Sequence, residues 1–94
     1  MKDFLNYHWV MENKYLTLQV IYEMVKNDIK PTSTNILPNE IISRQHFPWD
    51  EIVNHLTQLH NEEYIVMKQS SPSIVTITEK GFQFIADLQA VDKV

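Results

Sequence analysis

Three histidines, His46, His55 and His60, share one short stretch with the acid pairs Asp50-Glu51 and Glu62-Glu63, residue types that metal binding or acid–base catalysis would need. Their spacing argues against both. His55 and His60 are five apart, whereas two ligands on one helix face need a separation of three or four. Adjacent acids send their side chains in different directions, and such pairs read as helix-end charges in solvent. No H-E-x-x-H, G-x-S-x-G or glycine-rich phosphate loop occurs. Cysteine is absent, which removes thiolate ligands, thiol nucleophiles and disulfides. Met1, Met11, Met24 and Met67 form no helical stripe that would line a cofactor site. The expectation is a chain without catalytic residues, metal or cofactor, with its histidines at the surface or at an edge.

The elements that hold these residues read clearly. Leu16, Val20, Ile21, Met24 and Val25 predict an amphipathic first helix that stops before Pro31, since proline lacks a donor and turns Lys30 out of the α region. A connector follows, with a short strand near Asn35 to Leu37. Pro38 opens a second helix to Arg44, and Pro48 a third to Asn61, with Glu40, Asp50 and Glu51 placed to meet the positive ends of the helix dipoles. In the third helix Ile52, Leu56 and Leu59 mark the buried face, opposite Asn54, Thr57, Gln58 and Asn61. Between the two lies the corner His46-Phe47-Pro48-Trp49. There Trp49 either packs inward and fixes the interhelical angle or stands exposed as an anchor for a partner.

Tyr64 to Lys68 and Ile74 to Ile77 predict two strands around a Gln69-to-Ser73 turn. Thr78 suits the N-cap of a last helix carrying Phe82, Ile85 and Leu88. The order is that of an α+β, mainly helical winged helix-turn-helix: a three-helix core, a two-stranded wing and a C-terminal helix. All 94 residues make one domain, with 16–88 as its core and 1–14 as an N-terminal extension. Phe4, Tyr7, Trp9, Val10 and Met11 in that extension either cover the core of their own chain or pack against a second copy. An apolar fraction of 44% is ordinary for a folded protein. No signal peptide or membrane span is legible, so a cytoplasmic protein is expected.

The run Val53-Asn-His-Leu-Thr-Gln-Leu-His-Asn-Glu-Glu-Tyr-Ile65 resembles the recognition helix and following strand of bacterial winged helix-turn-helix regulators. Ile77-Thr-Glu-Lys-Gly-Phe82 resembles the opening of their last helix. The chain is also similar to small YjcQ-like winged-helix proteins of Gram-positive bacteria and their phages. In such proteins a glycine commonly joins the third helix to the strand. Here Glu63 stands there, so either Asn61 takes the left-handed conformation or the turn has another geometry.

The resemblance implies binding of double-stranded DNA and transcriptional regulation, with a homodimer as the assembly. It would place Asp50, Glu51, Asn54 and Gln58 at the major groove, Arg44 and Gln45 near phosphate, and Lys68, Ser70, Ser71 and Ser73 in the wing. The charge opposes it. The chain carries a net charge of −4, and between Ile36 and Ile65 the acids Glu40, Asp50, Glu51, Glu62 and Glu63 face Arg44 alone. The alternative is a protein-interaction module that uses Trp9, Trp49, His55 and the acids against a basic partner.

Overall fold

A computed structural model describes residues 12–69 and 72–92. Trp9, Ser70 and Ser71, and nearly all of the N-terminal extension, lie outside the described residues. Helix α1 covers Asn13–Val25, and a single 3-10 turn, Pro31–Ser33, leads to α2, Pro38–Ile42. Helix α3 is Trp49–Asn61, the strands are β1, Ile65–Lys68, and β2, Ile74–Ile77, and α4 is Glu79–Asp92. The strands pair antiparallel from Ile65 opposite Ile77 to Lys68 opposite Ile74. The connector strand expected near Asn35 to Leu37 is reduced to Ile36, which exchanges two 2.8 Å backbone hydrogen bonds with Val75. The entry to α2 is thereby tied to the wing.

The core is aliphatic. Leu18, Ile21 and Val25 of α1, Ile41 of α2, and Ile52, Leu56 and Leu59 of α3 meet Ile36, Ile65, Val75, Ile77 and Ile85. Tyr15, Tyr64 and Phe84 close one side, with ring centroids 4.9 to 6.0 Å apart. The buried face of α1 is rotated from the expected one. Thr17, Leu18, Ile21 and Val25 turn inward, while Leu16 is 37% exposed and Val20 and Met24 are half-buried. Apolar side chains lie on more than one side of this helix, so periodicity alone admits two orientations. The one adopted places Thr17 where its hydroxyl finds partners.

Two boundaries also shift. Helix α2 ends at Ile42, with Ser43 as a C-cap that keeps helical dihedrals and gives its hydroxyl to the Glu40 carbonyl at 3.0 Å, while Arg44 and Gln45 follow with tighter turn bonds to the Ile41 and Ile42 carbonyls. Pro48 is extended (ψ 159°) and serves as the N-cap of α3 rather than its first residue.

The junction between α3 and β1 corrects both alternatives drawn from the missing glycine, for Glu63 itself is left-handed at φ 69°. Its N–H donates to the His60 carbonyl, and the Tyr64 N–H donates to that of Leu59. This is the Schellman arrangement, with glutamate at the position glycine usually holds. The Glu63 side chain is exposed and makes no hydrogen bond or ion pair among the described residues that offsets its backbone strain. Glu63→Gly therefore raises stability by about 0.5–1 kcal/mol, part of the left-handed penalty being offset by the added freedom of the unfolded chain. Urea denaturation checks this, and a destabilised variant would contradict it.

Candidate nucleic-acid interface

With Ile52, His55, Leu56 and Leu59 turned inward, helical geometry points Asp50, Val53, Asn54, Thr57, Gln58 and Asn61 outward, and all six are exposed. Asn54 and Gln58 sit one turn apart with no side-chain hydrogen bond to the rest of the described protein. Their amides are free to meet a ligand. Thr57 bonds its own helix, donating to the Val53 carbonyl at 2.9 Å, which leaves its methyl outward. Val53 and Thr57 join the candidate contacts, since the spacing that buries Ile52 and Leu59 turns both of them outward. In the wing, Lys68 is exposed on the same side of β1 as Val66, and Ser73 is half-buried before β2.

Glu51 lies at the edge of that face, with one carboxylate oxygen 3.9 Å from His55 Nε2. Asp50 and Glu51 complement the dipole of α3 in its first turn. They also put negative charge at the end of the helix that would approach phosphate.

Of the two placements open to Trp49 the corner adopts the exposed one, and it overturns the surface placement of His55. Trp49 is 50% exposed and does not fix the interhelical angle. Phe47 packs against the core instead, meeting the His55 ring edge-on at 5.1 Å. His55, expected at the surface and as a partner contact, is only 5% exposed. Its Nδ1 lies 2.8 Å from the Thr17 hydroxyl, which also accepts from Gln45 Nε2 at 2.8 Å. The Thr17 hydroxyl can then still donate its own proton to Nδ1, a geometry that suits a neutral ring protonated on Nε2. Burial holds the His55 pKa below its ordinary value, partly countered by the Glu51 carboxylate. A buried ring cannot dock a partner, so His55 is a structural residue.

Gln45 is likewise committed to Thr17, and with Arg44 it lines a groove against α1. Arg44 is exposed and pairs with no carboxylate among the described residues. His60 accepts from the Met67 N–H through Nδ1 at 3.3 Å. Among the described residues no three of His, Asp or Glu gather as a metal site, and no helix is long and apolar enough to cross a membrane.

A short α2, a tight corner, an outward-facing α3 and an antiparallel hairpin leading into a last helix define the winged-helix class. The fold matches the crystal structure of AF1382 from Archaeoglobus fulgidus with a TM-score of 0.68 over 92% of this chain and 91% of that one, at 10% sequence identity. No protein-family pattern and no curated protein matches the chain.

Proposed function

We propose that this chain is a non-catalytic DNA-binding protein, a transcriptional regulator that sets the outward face of α3 into the major groove with the wing along the backbone. The observation that carries this reading is the row of Asn54 and Gln58, two unengaged amides on the exposed face of the helix that this fold presents. Such amides pair bidentately with adenine, and the outward Thr57 methyl suits a thymine methyl. Arg44 and Lys68 are the cations nearest this face in sequence. Two copies joined as a homodimer would bring two such helices to successive turns of a duplex.

With about two cations per copy, the salt dependence is shallow for a DNA binder. The affinity of one copy for a generic duplex falls by roughly 50- to 100-fold between about 20 and 200 mM salt, the slope being near −0.9 per neutralised phosphate. Fluorescence anisotropy measures this. No binding at the lowest salt would sink the reading.

Half-exposed Trp49, with Val53 one turn along α3 and acids beside it, favours a second reading, an interaction module for a basic protein. Trp49→Ala separates the two. Its fold should lose about 1–3 kcal/mol, less than a fully buried tryptophan would, since half of the residue is already in water. The DNA reading expects duplex affinity within a few-fold of the parent, whereas the protein reading expects partner binding to be lost.

A further inference from the structure

The groove between α1 and the α2–α3 corner has a volume of about 530 Å³, within the range of small-molecule sites. Leu16, Val20 and Met24 of α1 and Phe47 of the corner form its apolar walls, with Arg44 and Gln45 at its polar side. Glu23 also lines it, but its two carboxylate oxygens are engaged, one by Lys26 at 2.7 Å and the other by Gln89 at 2.9 Å. Arg44 has no such partner among the described residues. The groove thus combines apolar walls with one uncompensated guanidinium, whose planar fork matches a carboxylate with two parallel hydrogen bonds.

We propose that this groove is a binding site for an apolar carboxylate, an aliphatic or aromatic acid whose body lies against Leu16, Val20, Met24 and Phe47 and whose carboxylate pairs with Arg44. Charge decides the class. A neutral apolar molecule would leave Arg44 as it is, and a cation would be repelled. The site also touches the corner that orients α3, through Gln45 and Phe47. One consequence rests on the DNA-binding reading: Arg44 is the only arginine or lysine between Ile36 and Ile65, so a bound carboxylate would take it from phosphate and compete with the duplex.

The test is a titration of the full chain with decanoate and, in parallel, decanol, followed by amide chemical shifts in two-dimensional NMR. Decanoate should shift the amides of Leu16 to Met24 and of Arg44 to Phe47, and bind roughly tenfold more tightly than decanol, the worth of one charge-assisted pair. In Arg44→Gln, an exposed change, decanoate should fall to the affinity of decanol. Absent or dispersed shifts would overturn the site. Equal affinity for the two probes, or an Arg44→Gln variant that binds decanoate as before, would overturn the recognition of a carboxylate. Anisotropy with a duplex and decanoate together reads the competition separately. Failure of the duplex to bind at all removes the DNA reading and leaves the NMR result standing.

Discussion

Replacing Gly81 with alanine should destabilise the protein by about 2–3 kcal/mol, against the ordinary rule that alanine in a helix interior is the better residue by about 1 kcal/mol. Gly81 is the only glycine in the chain and lies in the first turn of α4. A Cβ there would stand 2.2 Å from the Tyr64 carbonyl oxygen, 3.0 Å from its carbon and 3.2 Å from Ile77 Cγ1. The first two are backbone atoms and cannot swing away.

That oxygen is itself held in place, because it accepts the Thr78 N–H at 3.0 Å. The Thr78 hydroxyl lies 2.7 Å from the Glu63 carbonyl oxygen and 2.9 Å from that of Tyr64, and it caps α4 by accepting the Gly81 N–H at 3.0 Å. Relieving the clash means lifting α4 off the start of β1 and breaking this knot, which joins the last helix to the wing. Urea denaturation of Gly81→Ala and parent gives the difference. An alanine variant as stable as the parent would show that helix and strand do not approach so closely.

The need for glycine at position 81 thus comes from close packing, but nothing in the sequence names Tyr64 as the group approached. The same limit governs the other departures. His55 lies three residues after Ile52 and four before Leu59, so the period that buries those two also buries the histidine. Its chemical type argued for the surface, and the partner that permits burial, Thr17, is 38 residues away in the chain. At the corner, Phe47 and Trp49 are both aromatic and flank Pro48, and which of them turns inward depends on the angle at which α3 leaves. The polar face of α3 was readable because Ile52, Leu56 and Leu59 mark a single stripe. The buried face of α1 was not, because apolar residues lie on more than one side of that helix.

Thr17→Val, nearly isosteric, should cost about 1–3 kcal/mol, the penalty of leaving a buried polar atom without its partner. The loss falls mainly on His55. Gln45 is half-exposed and its amide can turn to water, whereas Nδ1 of His55 faces the space the hydroxyl held. Thr17→Ser is the control, since it keeps the hydroxyl and gives up one methyl group at a cost of roughly 1 kcal/mol.

The same network sets a pH dependence. In the unfolded chain His55 protonates near 6.5, while in the fold burial depresses its pKa. Protons therefore bind the unfolded state more readily, and stability rises with pH across the window between the folded value and about 6.5. The contribution is complete above 6.5 and is lost as pH falls through the folded value. His55→Gln, whose amide oxygen can accept from Thr17, removes the titration, so the difference between its denaturation midpoint and the parent's should change across that window. A difference that stays constant with pH would mean that His55 titrates alike in both states, and that the Thr17 hydroxyl does not hold a neutral ring between α1 and α3.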